Sequence, residues 1–198
     1  MDTRKKILRI AKEKGIVQAR DLEDRGISRN HLYTLCKDGV LNRIATGLYM
    51  LEDESMTEYI SLAETAKRIP SAVVCLLSAL SFHEIGTQMP KDIWISIPRG
   101  SWRPRVKSPP LNITFLSETS YSYGIQKHNI SGVSVNIYSP AKTVADCFKF
   151  RSKVGLDVAI ESLKETLSSR KATVDALMDA ARINRVSKIM QPYLEAIV

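Results

Sequence analysis

The residues best suited by type and spacing to do chemistry lie between Ser28 and Lys37. Arg29, Asn30, Tyr33, Thr34 and Lys37 recur at helical spacing, opposite an apolar row of Leu32, Leu35 and Cys36. Such a face is rich in hydrogen-bond donors. An arginine forks onto the acceptors of guanine, an asparagine pairs with adenine, and hydroxyl and ammonium groups bond to phosphate. Ser28 is a good N-cap for the helix that carries them. A second set, Arg43 and Thr46, follows within one short apolar hairpin pattern. A third is the run containing Arg99, Arg103, Arg105 and Lys107, interleaved with Trp102 and two prolines. Arginine alternating with an aromatic suits phosphate pairing and base stacking, unless Trp102 folds back onto the core.

None of these sets makes or breaks a covalent bond. His31, His83 and His128 are far apart, and no nucleophile elbow, phosphate-binding loop, zinc-protease helix or dinucleotide fingerprint occurs. His83 and Glu84 are adjacent and so diverge by about 100° on a helix. Asp92, Glu118 and Asp146 are the carboxylates nearest to the expected strands, and no spacing unites them as metal ligands. Asp146 follows Lys142 at the spacing of a plain intrahelical ion pair. Cys36, Cys75 and Cys147 are isolated, without the pairing that zinc requires. The reading is of a protein that is not an enzyme and uses no cofactor or metal. Free cysteines in apolar contexts, and charged residues in place of an apolar leader after Met1, suggest the cytoplasm. The longest apolar stretch, residues 72–80, is too short to span a bilayer.

Positioning the first two sets requires a small N-terminal module. Residues 3–14 carry Ile7, Leu8, Ile10 and Ala11 on one helical stripe and end at Gly15. A second helix is expected over 19–25 with Leu22 inward. Gly26 then turns the chain, Ile27 anchors it, and a third helix runs to about Asp38. Two short helices about a glycine turn form a helix-turn-helix, whose second helix enters the major groove. Residues 41–50 read as a hairpin about Thr46-Gly47, a wing that brings Arg43 and Thr46 to the DNA backbone or minor groove, with Tyr49 packing on the first helix.

The acidic join at residues 52–55 separates this module, residues 1–54, from a body, residues 55–198. Ser55 and Glu58 resemble a capping box opening a helix over 56–67. Pro70 breaks the chain, and residues 71–84 read as a largely apolar core helix. Strands are expected over 93–97 and 112–116. A hairpin of 128–130 with 133–138 turns at Ser131-Gly132, giving a small mixed or antiparallel sheet. Helices follow over 141–150, 155–168, 172–183 and 187–197. The fold class is α+β: an N-terminal winged helix-turn-helix, then a mixed helix and small-sheet domain with a helical C-terminal part.

The formal net charge of +8 predicts a polyanionic partner. Its excess is spread, with 11 basic against 9 acidic residues up to Glu54, 8 against 5 as far as Tyr138, and 10 against 7 beyond. An anion-binding surface is therefore assembled by folding and not supplied by a tail.

Leu22, Gly26-Ile27-Ser28, Leu32, Leu35, Gly39-Val40-Leu41, Arg43 and Gly47-Leu48-Tyr49 resemble the AbiEi family of antitoxin-like transcriptional regulators. So, in order, do Ser78-Ala79-Leu80 with His83, Ile93 to Pro98 with Arg99-Gly100, Gly132-Val133, and the segment Ser139 to Asp146. The resemblance implies a repressor that binds its own operator as double-stranded DNA. It also implies a C-terminal domain that counters a nucleotidyltransferase-like toxin of a type IV toxin–antitoxin system, without a stable complex. The residues themselves also accommodate a stand-alone winged-helix regulator with no toxin, or a module that binds protein or RNA.

Overall fold

A computed structural model describes residues 3–52, 59–106 and 108–197. The chain is mixed α and β and divides into two compact units, Met1–Pro70 with His128–Val135, and Ser71–Lys127 with Asn136–Val198.

In the first unit, α1 (Thr3–Lys14) buries Ile7, Ile10 and Ala11 and keeps its lysines and arginines largely in solvent. β1 (Val17–Gln18), α2 (Ala19–Glu23), α3 (Asn30–Lys37), β2 (Leu41–Ala45) and β3 (Leu48–Leu51) follow. The strands form an antiparallel sheet in the order β1-β3-β2. Ile7, Leu22, Ile27, Leu32, Leu35, Leu41 and Tyr49 share one core. This order of elements fits a winged helix-turn-helix. β1 is the element that the apolar pattern did not announce, since two residues carry no period. The expected helix over 56–67 is met by α4 (Ile60–Arg68). Its proposed capping box, and most of the acidic join, lie outside the described residues.

Asp21 ties three of these helices together. Its carboxylate accepts the Gln18 amide proton at 2.7 Å in a capping box, bonds to the Lys14 ammonium, and lies 3.8 Å from Lys67. Burial works to raise its pKa. The Lys14 hydrogen bond, the Gln18 amide and the charge of Lys67 outweigh it and hold the carboxyl below the usual 3.8. Lys67 shows the other side of the same contact. There, loss of water outweighs the attraction of Asp21 and lowers the ammonium.

The second unit begins with β4 (Val73–Val74) and α5 (Leu76–Phe82), followed by β5 (Ile93–Pro98), β6 (Leu111–Leu116) and α6 (Glu118–Ser122). β7 (Ile125–Ile130) and β8 (Val133–Tyr138) form the hairpin, and the tip of that hairpin belongs to the first unit. α7 (Pro140–Lys149), α8 (Arg151–Val154), α9 (Leu156–Ser168), α10 (Val174–Asn184) and α11 (Ser187–Glu195) complete the chain. The sheet is mixed, in the order β6-β5-β4-β8-β7, with β4 antiparallel to β5 and parallel to β8, and β5 parallel to β6.

One expectation is corrected here. The single helix read over 71–84 gives way to β4 followed by the shorter α5. Val73 and Val74 are buried and pair with β5 on one side and β8 on the other. Paired on both edges, a central strand needs an unbroken apolar run, which has no helical or alternating signature.

The turn of the hairpin has φ +48° at Ser131 and +75° at Gly132, positive at both positions as a tight two-residue turn requires. It packs backbone to backbone on Gly15. A Cβ built on Gly15 would lie 1.6 Å from the Ser131 carbonyl oxygen, and one on Gly132 would lie 2.6 Å from the Gly15 nitrogen.

The expected Lys142–Asp146 pair forms, at 2.6 Å, but deep in the core of the second unit. Asp146 also accepts from Asn184 at 2.8 Å, and Asn184 in turn accepts from Ser120 at 2.6 Å. The Lys142 ammonium lies 4.4 Å from the centre of the Tyr138 ring. Lys142 and Asp146 are at most 1% exposed, so the network joins α6, α7 and α10 where water cannot.

Candidate nucleic-acid interface

The candidate interface starts from α3. Leu32 and Leu35 are buried, which fixes the rotation of the helix and turns Arg29, Asn30, Tyr33, Thr34 and Lys37 out to solvent. Arg29 stands at the N-cap position and Ser28 one residue earlier. The Asn30 amide approaches the Ser28 hydroxyl at 3.4 Å, so Ser28 supports the turn that enters the helix. The Thr34 hydroxyl donates to the Asn30 carbonyl at 3.3 Å. Asn30, Lys37 and Arg29 have no side-chain partner among the described residues, leaving their donors available to a ligand.

The hairpin is braced against this helix. Arg43 lies opposite Tyr49 in the pairing of β2 with β3, and the register shifts by one residue between Arg43 and Ala45. Tyr49 is 3% exposed and meets Tyr33 edge-on, with ring centres 6.4 Å apart. Burial, with Tyr33 beside it, pushes the Tyr49 phenol up. Tyr33 itself is 56% exposed, so its ring spans from the core of the hairpin to the surface of α3. Burial also raises the Cys36 thiol, against the pull of the nearby Arg43 charge. Tyr33, Cys36, Arg43 and Tyr49 thus form the junction of helix and hairpin. Thr46 is exposed at the tip beside Gly47, whose φ is +75°, and its carbonyl accepts from Arg68 at 3.4 Å.

Tyr49 was expected to pack on the first helix. It shares the core with Ile7 and Ile10 of α1, and its edge contact to Tyr33 is the part that the sequence did not announce. Ser28, Arg29, Asn30, Tyr33, Thr34, Lys37, Arg43 and Thr46 all belong to the first unit and are all exposed.

Arg99, Arg103 and Arg105 belong to the second unit, on the connection between β5 and β6, and all three are exposed. Trp102 does not fold back: it is 95% exposed. Lys107 lies outside the described residues. Residues that the sequence did not single out lie in the same unit: Ser120, Lys149 and Arg185, with the charges of Arg99 and Arg185 acting on Lys149. Lys149 donates to Ser120 at 3.4 Å, and Arg185 directly follows Asn184. No sequence spacing links these positions.

Among the described residues no group of three His, Cys, Asp or Glu side chains is placed to hold a metal ion, and no helix is long and apolar enough to cross a membrane.

No curated protein matches the chain. Among solved structures, the RV2827C protein from Mycobacterium tuberculosis is similar in fold, with a TM-score of 0.56 at 12% identity over 91% of this chain and 75% of that one. Residues 5–51, which carry α1, α2, α3 and the hairpin, match the model of the AbiEi antitoxin family of transcriptional regulators.

Proposed function

We propose that the protein is a DNA-binding transcriptional regulator that represses its own operon as the antitoxin of a type IV toxin–antitoxin pair. The observation that carries this reading is the outward face of α3, where a guanidinium, a carboxamide, a phenol, a hydroxyl and an ammonium are exposed together over a fixed apolar base. The family match over residues 5–51 supports it. In this reading α3 lies in the major groove. Arg29 and Asn30 address base edges, and Tyr33, Thr34 and Lys37 fix the register. Arg43 and Thr46 set the wing on the backbone or in the minor groove. Residues 1–54 form the operator-reading domain, and residues 55–198 counter a nucleotidyltransferase-like toxin without a stable complex. Arg99, Arg103, Arg105 and Lys107 supply a second set of phosphate contacts, to the operator or to an unpaired strand.

The test is binding of the purified protein to DNA from upstream of its own reading frame, with scrambled DNA as control, across a salt series. Selective binding that weakens with salt is expected. Equal affinity for both DNAs at every salt concentration overturns operator reading. For the antitoxin, the neighbouring reading frame is expressed alone and together with this chain. Growth arrest relieved by co-expression is the expected result. If no neighbouring product arrests growth, the regulator stands alone.

A further inference from the structure

The loop after β5 combines two features. The first is Trp102, 95% exposed between Arg99 and Arg103. A hydrogen bond of 3.1 Å from the Ser101 amide to the Pro98 carbonyl, with Gly100 at φ +92°, turns the chain tightly and keeps Trp102 close to Arg99.

The second is a set of cations in the same unit. The Arg99 amide donates to the carbonyl of Leu116 at 2.7 Å, two residues before α6 begins. From α6, the buried Ser120 hydroxyl contacts the Lys149 ammonium at 3.4 Å and Asn184 at 2.6 Å. Arg185, the next residue, is exposed and held in the left-handed conformation at φ +60°. The charges of Arg99 and Arg185 both act on Lys149, so cations from three distant segments lie within electrostatic reach of one another. Asp146, their carboxylate neighbour, accepts from Lys142 and Asn184 through Oδ1, while its buried Oδ2 accepts no hydrogen bond among the described residues. Partial burial lowers the Lys149 ammonium against the attraction of Asp146, and the charges of Lys142, Arg99 and Arg185 lower it further. Arg99, Lys149 and Arg185 make no ion pair among the described residues, and such a group of cations suits phosphate, the anion whose geometry arginine and lysine share.

An exposed indole beside a phosphate site needs an open base face. In a duplex both faces of each base are stacked, whereas unpaired bases offer theirs. We propose that Trp102, with Arg99, Lys149 and Arg185, forms a site for single-stranded nucleic acid, the cations holding a phosphate and the indole stacking on an unpaired base. The site shares no residue with α3, and its success or failure does not depend on operator reading.

The experiment titrates short 5′-phosphorylated single strands, RNA and DNA of one mixed sequence, into the full-length protein. Intrinsic tryptophan emission and fluorescence anisotropy of a labelled strand are the readouts. Of the two tryptophans, Trp94 is only partly exposed, so quenching reports chiefly on Trp102. Saturable quenching by single strands is expected. In Trp102→Ala the anisotropy affinity should fall at least about fivefold, with operator-duplex binding and the unfolding midpoint unchanged. Arg99→Ala and Lys149→Met should each flatten the salt dependence by about one phosphate contact. RNA bound more tightly than DNA identifies RNA as the source of the strand, and equal binding identifies any single strand, both in support. A matched duplex that competes as well as the single strand, or Trp102→Ala binding like the parent protein, overturns the proposal.

Discussion

Arg29 and Arg43 carry the same charge, and the proposed function gives them different work. Arg29 stands where α3 begins, on the helix proposed to meet base edges, whereas Arg43 rises from a strand of the hairpin. Arg29→Ala is expected to cost about 1–3 kcal/mol on operator DNA and much less on scrambled DNA, because a forked contact to guanine is sequence-specific. Equal losses on both DNAs in paired isotherms would show that Arg29 binds phosphate only. Asp21 supports a prediction of another kind. Its folded pKa lies below 3.8, so it contributes stability above that value and loses the contribution as pH falls through the folded pKa. Asp21→Asn is therefore expected to destabilise the protein at neutral pH. In denaturant unfolding over a pH series, the gap between the two proteins should close below 3.8. A gap that stays constant into acid would mean that the Asp21 ion pairs contribute nothing to folding.

Among the elements, the contact between Gly15 and the Ser131-Gly132 turn has no slack. An added methyl on Gly15 meets backbone, which cannot rotate away. Gly26 has a similar φ of +67° with nothing within 4 Å of a built Cβ. Gly26→Ala should thus cost only the strain of left-handed backbone, about 1–2 kcal/mol. Gly15→Ala adds the clash and should cost clearly more, as measured by chemical denaturation of the two variants side by side. Equal costs would mean that the hairpin turn moves aside freely. This contact also marks where reading from sequence stops. α1, α3 and the hairpin were legible because glycines, caps and apolar periods are local. β4 was not, because Val73 and Val74 are a strand only through partners more than twenty residues away. The Lys142–Asp146 spacing was legible, but its burial was not, since that depends on Ser120 and Asn184 arriving from other segments. For the candidate interface, the outward residues of α3 could be read from their spacing to Leu32 and Leu35. The brace of Tyr33 on Tyr49 needed the fold.

For the whole molecule, a net charge of +8 favours every nucleic acid alike, so affinity by itself says little about which surface binds. Salt separates the surfaces. Each neutralised phosphate of duplex DNA contributes about −0.9 to the slope of log affinity against log salt. If the phosphates of the duplex are held by Lys37 and Arg43, the slope should be about −2, and a fourfold rise in salt should weaken operator binding about 12-fold. Arg43→Ala should bring that loss down to about fourfold. Arg103→Ala is the decisive comparison. It should leave the duplex slope in place while flattening the slope for a single strand, if the exposed loop serves unpaired bases. A duplex slope steeper than about −5 that Arg103→Ala reduces would place the loop on the operator as well. The two units would then bind one DNA with a single extended footprint, and the separate single-strand site would have to be given up.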